Sequence, residues 1–178
     1  MNFTLTPATL DEKPILERLL QLYLYDFTEF DGDDVNDQGV YPDVYLPLYW
    51  LEPQRRPFLI RVAGKLAGFV LVQVDIDGLI DPPRKVNQIA EFFVLKKYRQ
   101  GGVGAFAAQA TFDQFLGNWE VDQIAKNLPA QAFWRKIIAR YTNGQFQEVF
   151  LNNDNHHGPI QTFNNQYPVF SNQYTVNH

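Results

Sequence analysis

The sequence predicts an α/β domain built on one sheet with mixed strand directions. Three observations support this class. Strands and helices alternate in the second half, in the order ββ-β-α-β-α-β. The run VNQIAEFFVL is apolar and rich in β-formers, as in a central strand. The chain has 178 residues, 46% of them hydrophobic, and contains no internal repeat or linker. We therefore expect one domain over 1–178, with its core at about 3–165 and an irregular polar tail after it.

The first half begins with a short strand at Phe3 and Leu5, where apolar and polar residues alternate. A helix is predicted from Asp11 to Tyr25. Thr9 and Glu12 have the spacing of a capping box, but that start places Pro14 where a backbone donor is needed. Asp11 as N-cap leaves Pro14 in the first turn, where proline is tolerated. The apolar stripe of this helix consists of Ile15, Leu16, Leu19, Leu20 and Tyr23.

A long acidic segment and a hairpin follow. Residues 26–47 are predicted as a loop, with six acidic residues between Asp26 and Asp37. The stretch YLPLYWLE predicts a short helix that ends before Pro53. FLIRVAGKLAGFVLVQVD predicts two strands around Ala63-Gly64-Lys65. Two prolines break the next loop, DGLIDPPRK, and the strand VNQIAEFFVL comes after it.

The second half continues from a cluster of glycines at 101–104. A helix is predicted from there to about Gly117, followed by a short strand, WEVDQI. A second helix begins near Pro129 and has helical apolar spacing up to Tyr141. GQFQEVFLN predicts a strand, and a last one is expected near Gln161–Asn164.

Composition excludes several kinds of function. The formal net charge is -5, with a sequence pI near 5.1, which argues against a broad nucleic-acid interface and for a cationic or small-molecule partner. The chain has no cysteine, so disulfides, thiolate catalysis and cysteine-bound zinc are excluded. We see no signal peptide or membrane-spanning run, and expect a cytoplasmic protein without a membrane partner. His156, His157 and His178 have no spacing to acids that indicates a metal site.

The segment YRQGGVGAFAAQ opens the predicted helix with three glycines in four positions. Backbone N–H groups at such a helix start favour an anion, and Lys96, Lys97 and Arg99 add positive charge. Gly102-x-Gly104-x-x-Ala107 fits the dinucleotide pattern, but the five residues 96–100 intervene between the strand and the glycine cluster, and too little chain follows. A Walker loop needs lysine and serine or threonine after the last glycine, where Ala105 and Phe106 stand. A pyrophosphate-bearing ligand is therefore expected.

This region resembles the signature of the GNAT N-acetyltransferases. IAEFFVLKKYRQGGVG has their apolar strand, a few loop residues and the pattern R/Q-x-x-G-x-G/A, filled by Arg99, Gly102 and Gly104. Asn127-x-x-Ala130-x-x-Phe133-Trp134 resembles a second signature of the family. The order of elements agrees over roughly residues 3–165. The resemblance implies a mixed, mostly antiparallel central sheet with helices on both faces.

The resemblance also implies how acetyl-coenzyme A is bound. The main-chain amides of the turn hold the pyrophosphate in this family. On this sequence they belong to Gln100, Gly101, Gly102, Val103, Gly104 and Ala105. The splayed strand before the turn pairs with the pantetheine arm, and Phe92, Phe93 and Val94 match that segment. Asn127 matches a position that often touches pantetheine, although an N-cap for the next helix is an equal alternative.

The implied chemistry is direct attack of an amine on the thioester. The amine must be neutral, so a general base is expected, and Glu91 within the apolar strand is the candidate. A structural ion pair or an edge position is the alternative for Glu91. By resemblance, the Val94 N–H is the candidate donor to the developing oxyanion. Trp134 stands where many members have a tyrosine as general acid, so Tyr141 is the substitute candidate, with a core tyrosine as the alternative.

The acidic segment predicts the acceptor. The resemblance implies that the region between the first two helices borders the acceptor site, although an ordinary solvated loop is the alternative. Tyr23, Tyr25, Phe27 and Phe30 interleave with the acids, and acids beside aromatics suit a small cationic amine such as a polyamine, an aminoglycoside-like compound or an amino-acid amine. An EF-hand is excluded because glycine at its sixth position and glutamate at its twelfth are missing. A cofactor-binding module without activity and an NAD-dependent oxidoreductase are the alternative functions. Tyr167, Phe170 and Tyr174 indicate a homodimer contact in the tail.

Overall fold

A computed structural model describes residues 2–43 and 45–166. Its core is a seven-stranded sheet in the order β1-β2-β3-β4-β5-β7-β6. The strands are β1 (Phe3–Pro7), β2 (Arg55–Val62), β3 (Lys65–Asp77), β4 (Lys85–Val94), β5 (Asn118–Asp122), β6 (Gln147–Asn152) and β7 (His157–Asn164). The α-helices are α1 (Lys13–Asp31), α2 (Val103–Gln114) and α3 (Leu128–Tyr141). Short 3₁₀ helices span Leu10–Glu12, Leu46–Trp50 and Lys96–Tyr98.

Both faces of the sheet are covered, as the resemblance implied. Helices α2 and α3 pack on one face, around Phe112, Trp119 and Ile138, which are fully buried. Helix α1 and the 3₁₀ helix Leu46–Trp50 cover the other face, around Leu16 and Phe69. The predicted mixed, mostly antiparallel sheet is thus confirmed, since β4 and β5 form the only parallel pair among the described strands.

Helix α1 differs from its prediction at both ends. The Asp11 N-cap is wrong: Thr9 caps the preceding 3₁₀ helix, and its backbone N–H donates to Glu12 Oε2 at 3.1 Å, so the capping box is present. Pro14 still falls in the first turn of α1, because the 3₁₀ helix ends before it. The helix continues through Asp31, six residues beyond Tyr25, and stops at Gly32 in a left-handed conformation (φ 78°).

The sheet opens between β4 and β5. The two strands pair only at Asn87 with Trp119 and Gln88 with Glu120, after which no described strand lies against that edge of β4. The predicted splay is therefore present. The NAD-dependent alternative is wrong, because the strand before the glycine turn is antiparallel to its other neighbour, β3, whereas a dinucleotide fold needs parallel strands there.

A β-bulge shapes β4 at this opening. Leu71 of β3 faces Glu91, while the next residue, Val72, faces Ile89, so Ala90 is an extra residue. The bulge places Ala90 and Glu91 on the same face of the sheet, the one covered by α1. Glu91 is thereby directed toward α1 at the point where β4 loses its second neighbour.

Some predictions fall outside the described residues. The tail aromatics Tyr167, Phe170 and Tyr174, and also His178, lie there. Within the described part of the chain, no helix is long and apolar enough to cross a membrane. The same residues contain no group of three or more metal-ligating side chains suited to an ion.

Candidate active site

The glycine turn presents a continuous row of free backbone donors. Gln100 (φ 66°) and Gly102 (φ 83°) both adopt left-handed conformations, which turn the chain sharply into α2. The first described helical hydrogen bond runs from Phe106 N to Gly102 O. The six N–H groups from Gln100 to Ala105 have no hydrogen-bond partner among the described residues. Such a row at a helix N-terminus is suited to a pyrophosphate.

Two glycines of the turn serve different purposes. A Cβ atom on Gly102 would meet nothing within 4 Å, so glycine is needed there for its positive φ alone. A Cβ atom on Gly104 would lie 3.2 Å from Cε2 of Phe133 in α3. Gly104 therefore allows α2 and α3 to approach closely next to the turn.

Arg99 connects the glycine turn to β4 and to α1. Its Nε donates to the Val94 carbonyl at 2.8 Å, and its guanidinium forms an ion pair with Asp26 of α1. Lys96 Nζ lies 3.1 Å from the same carboxylate. Partial burial alone would raise the pKa of Asp26, but the hydrogen bonds from Arg99 and Lys96 outweigh it and lower that pKa. Asp26 thus links α1 to the turn, and it is not free to contact an acceptor.

The free edge of β4 continues from the turn. Leu95 N donates to Ala67 O of β3, and backbone groups alternate in direction along a strand. The N–H groups of Val94 and Phe92 therefore point away from β3, into the opening beside β5. The Phe93 backbone groups point to β3, and its side chain is buried against Tyr23 and Phe69.

Asn127 acts as the N-cap of α3. Its side-chain oxygen accepts a hydrogen bond from Ala130 N at 3.0 Å. Of the two roles expected for Asn127, the capping role is therefore present in the structure. The cap also fixes the start of α3 beside α2, where Phe133 contacts Gly104.

Glu91 lies in the opening on the α1 face. Burial, together with the charges of Asp122 and Asp43, raises the pKa of Glu91 to about 7, although the hydrogen bond with the Tyr23 hydroxyl acts in the opposite direction. Burial and the neighbouring Glu91 also raise the pKa of Tyr23 well above its ordinary value. A carboxyl group that titrates near neutrality can accept a proton from a substrate.

The walls around Glu91 are acidic and aromatic. Asp122 and Asp43 lie within electrostatic reach of Glu91, as Asp31 does of Tyr23. The Tyr23 ring contacts Phe27 at 5.5 Å between centroids. The loop that carries Asp43 is held against α1 by the Gln21 side chain, which exchanges two hydrogen bonds with the Tyr41 backbone at 3.0 and 2.8 Å.

Tyr141, the candidate general acid, does not lie in this opening. Tyr141 lies on the α2–α3 face of the sheet, opposite Glu91, and its hydroxyl donates to Asp113 at 2.8 Å. Burial, together with Asp113, raises its pKa to about 12. Trp134 is also buried on that face, against Phe92 and Phe133. Neither residue reaches the carboxylate side of the opening.

Sequence reasoning missed His156. This residue lies in the turn between β6 and β7, and its Nδ1 is 3.6 Å from Asp122 Oδ2. The two residues are far apart in the chain, and they meet only because β7 pairs with β5. Two surface depressions lie elsewhere, one beside β6 and β7 and one near Arg55 and Gln73.

Comparison with known proteins gives one family and many similar folds. A model of the acetyltransferase (GNAT) family matches residues 16–138. No curated protein matches the chain by sequence.

Several solved structures have the same fold. An acetyltransferase from Thermus thermophilus is 15% identical, with a TM-score of 0.62 over 92% of this chain and 97% of that one. The aminoglycoside acetyltransferase AAC(6')-Ib in complex with coenzyme A is 18% identical, with a TM-score of 0.64 over 93% and 96%. The ribosomal-protein-S18-alanine N-acetyltransferase from Escherichia coli is 14% identical, with a TM-score of 0.57 over 92% and 94%. Because the family model matches more than half of the chain, this protein belongs to the GNAT family of N-acetyltransferases.

Proposed function

We propose that this protein transfers the acetyl group of acetyl-coenzyme A to a small cationic amine. The observation that carries the proposal is the position of Glu91. Its carboxyl group, with a pKa of about 7, lies at the open edge of β4, which leads directly into the row of free N–H groups at 100–105. Glu91, near the C-terminal end of β4, and the free N–H groups just beyond that end thus lie in one segment of the chain, which supports the proposal.

Acetyl-coenzyme A fits the residues of this strand and turn. The amides from Gln100 to Ala105 would hold its pyrophosphate, where the helix dipole of α2 favours negative charge. The free edge of β4 at Phe92 and Val94 would pair with the amide groups of the pantetheine arm. When bound, acetyl-coenzyme A supplies the activated acetyl group as a thioester.

The residues of the opening perform the proton transfers. Glu91 in its ionised form accepts a proton from the attacking amine. The Val94 N–H points into the opening and donates to the carbonyl oxygen of the acetyl group, on which negative charge develops. Arg99 holds the Val94 carbonyl and so fixes the orientation of this strand end. The departing sulfur takes its proton from the amine by way of Glu91 or water.

The charge of the opening selects the acceptor. The charges of Asp122 and Asp43 both raise the pKa of Glu91. The charges of Glu91 and Asp31 likewise raise the pKa of Tyr23, so the opening carries negative charge. A cationic amine is attracted to such a site, and the rings of Tyr23 and Phe27 offer cation–π contact. One protein of similar fold is an aminoglycoside acetyltransferase crystallised with coenzyme A and kanamycin, which is compatible with an amine-bearing acceptor.

The test is a thiol-release assay with acetyl-coenzyme A and a panel of amines. We expect polyamines and aminoglycosides to react at least tenfold faster, in kcat/KM, than amines of similar size that are uncharged at the assay pH. Calorimetric titration with coenzyme A and with NADH is the control for the pyrophosphate site at residues 100–105, and only coenzyme A should bind. Equal rates for cationic and neutral amines would contradict the proposed acceptor class.

A further inference from the structure

Tyr23 places its hydroxyl group beside the Glu91 carboxyl group. Tyr23 lies on the face of α1 that packs on the sheet, one turn beyond the buried residues Leu19 and Leu20. Its ring contacts the ring of Phe93 in β4 at 5.9 Å between centroids. Phe93 follows Glu91 by two residues and lies on the same face of the strand, so this ring contact brings the Tyr23 hydroxyl next to Glu91. The two side chains share a hydrogen bond.

Three aromatic neighbours hold the Tyr23 ring in place. Besides its contact with Phe93, the ring packs edge-on against Phe69 of β3 at 5.9 Å and lies 5.5 Å from Phe27, one turn further along α1. The hydroxyl group is therefore oriented by a packed ring before any substrate arrives. Tyr23 and Glu91 both remain partly exposed, so the pair is not enclosed in the core.

The Tyr23 hydroxyl stays protonated over the pH range in which Glu91 titrates. Burial and the charge of Glu91 raise the pKa of Tyr23 well above its ordinary value of 10.0. Since a thiol has a pKa of about 8.5, the departing sulfur is too weak a base to take the Tyr23 proton. The hydroxyl instead donates to Glu91, and such a bond is stronger to a charged carboxylate than to a neutral carboxyl group. It therefore favours the ionised form of Glu91, against the effect of burial.

The charged and titratable groups that face Glu91 and Tyr23 come from four parts of the chain. They are Asp31 of α1, Asp43 of the following loop, Tyr49 of the 3₁₀ helix Leu46–Trp50, and Asp122 of β5. The charges of Asp43 and Asp122 raise the pKa of Glu91, and the Tyr49 hydroxyl is hydrogen-bonded to Gln73 and Arg55 instead. Within the described residues, Tyr23 is therefore the neighbour that stabilises the ionised carboxyl group.

We propose that Tyr23 is a positioning residue that holds the Glu91 carboxyl group in its ionised form, ready to accept a proton from the acceptor amine. This inference rests on the proposed function. Tyr23 transfers no proton itself. It donates to one oxygen of the carboxylate, which leaves the lone pairs of the other oxygen for the amine.

The test compares kcat/KM for a polyamine between pH 6 and pH 9 in the full-length parent, Tyr23→Phe and Tyr49→Phe. Phenylalanine keeps the ring and removes the hydroxyl. The ratio of parent to variant cancels the ionisation of the acceptor, which is the same for both enzymes. For Tyr23→Phe we expect a ratio of about ten at pH 6 and less than two at pH 9, because the Glu91 carboxyl group then ionises about one pH unit higher.

Tyr49→Phe is the matched control. It removes a buried hydroxyl on the same face of the sheet, and that hydroxyl is not bonded to Glu91. Its ratio should not depend on pH. A Tyr23→Phe ratio that is equal at pH 6 and pH 9 would indicate a merely structural role and overturn the inference, as would no loss at either pH.

Carbon-13 NMR of the Glu91 carboxyl group, assigned with Glu91→Gln, is a second measurement that needs no acceptor. Its titration midpoint should lie at about 7 in the parent and at about 8 or above in Tyr23→Phe. Equal midpoints in the two proteins would overturn the inference. If the parent acetylates no amine, the proposed function fails, and the NMR titration still decides whether Tyr23 stabilises the ionised carboxyl group.

Discussion

The burial of Glu91 beside other carboxylates should make both the reaction rate and the stability of the fold depend on pH. Because its pKa is about 7, the carboxyl group is ionised, and able to accept a proton, only above neutrality. We expect kcat/KM for a cationic amine to rise with pH through about 7. Glu91→Gln should lower kcat by about a hundredfold to ten-thousandfold and remove this inflection. A pH profile of the parent and of the variant measures both effects, and an inflection that persists in the variant would exclude Glu91 as its source.

The same residue makes stability depend on pH. The folded-state pKa of Glu91 is raised above its ordinary value of 4.5, so the folded protein binds this proton more tightly than the unfolded chain. Its contribution to the free energy of unfolding is complete below pH 4.5 and is lost as the pH rises through 7. Glu91→Gln should therefore be more stable than the parent at pH 8, with the difference shrinking toward pH 4. Denaturant titrations at the two pH values test this, and a variant less stable at pH 8 would contradict it.

Gly102 and Gly64 allow a test of the pyrophosphate site with two variants that carry the same backbone strain. Gly102 (φ 83°) and Gly64 (φ 78°), in the hairpin turn between β2 and β3, both have open space where a Cβ would lie. Aspartate at either position costs roughly 1–2 kcal/mol of left-handed strain. Only at Gly102 does the carboxylate also stand beside the free N–H groups. We expect Gly102→Asp to abolish coenzyme A binding in calorimetry and Gly64→Asp to preserve it. Comparable coenzyme A binding by both variants would contradict the assignment of the pyrophosphate site to residues 100–105.

At the scale of elements, the N-cap of α3 is the clearest local interaction. Asn127→Ala removes the hydrogen bond to Ala130 N and should lower the free energy of unfolding by about 1 kcal/mol, whereas Asn127→Asp keeps the cap. Denaturant unfolding measures both variants, and an Asn127→Ala protein as stable as the parent would contradict the capping role. Coenzyme A affinity tests the second role expected for Asn127. Because Asn127→Asp keeps the cap and loses the amide N–H groups, weaker binding by this variant alone would assign the amide to the pantetheine arm.

The positions of the helices and strands were largely predictable, because the periodicity of apolar residues and the residues that end a helix or strand are local features of the sequence. The hairpin at Ala63-Gly64, the strand VNQIAEFFVL and the helix after the glycines all follow from such patterns. The errors at α1 also have local causes. Residues 26–31 are rich in acids and resembled a loop, yet Phe27 and Phe30 continue the helix, and Gly32 supplies its end. The capping box and Pro14 are compatible because the 3₁₀ helix Leu10–Glu12 comes before the first turn of α1.

The site was predictable only where it is contiguous in the chain. The turn at 99–105 and the strand at 91–94 are one segment, so their candidate functional residues could be named from sequence. The bulge at Ala90 that turns Glu91 toward α1 depends on the register with β3. The contact between His156 and Asp122 depends on the pairing of β5 with β7, and no local pattern encodes it. Tyr141 has the helical spacing expected of it, and it lies on the α2–α3 face of the sheet, opposite Glu91.

At the scale of the whole molecule, charge distribution governs the encounter with the acceptor. The formal net charge is -5, and the opening itself is lined by carboxylates. Attraction of a polyamine should therefore be screened by salt, with a Debye length of about 8 Å at 0.15 M. We expect kcat/KM for a polyamine to fall several-fold between about 0.02 and 0.5 M salt, while a neutral acceptor shows little change. Equal salt dependence of kcat/KM for both acceptors would indicate that salt weakens the binding of acetyl-coenzyme A and not the attraction of the polyamine.

The central claim is that Glu91 and the amides at 100–105 transfer an acetyl group to a cationic amine. The most direct measurement is thiol release from acetyl-coenzyme A with a polyamine, for the parent and for Glu91→Gln, together with coenzyme A affinity for each. We predict rapid release by the parent, a loss of about a hundredfold or more in the variant, and the same coenzyme A affinity in both. Unchanged turnover in Glu91→Gln, or no polyamine-dependent release by a parent that binds coenzyme A, would contradict the account.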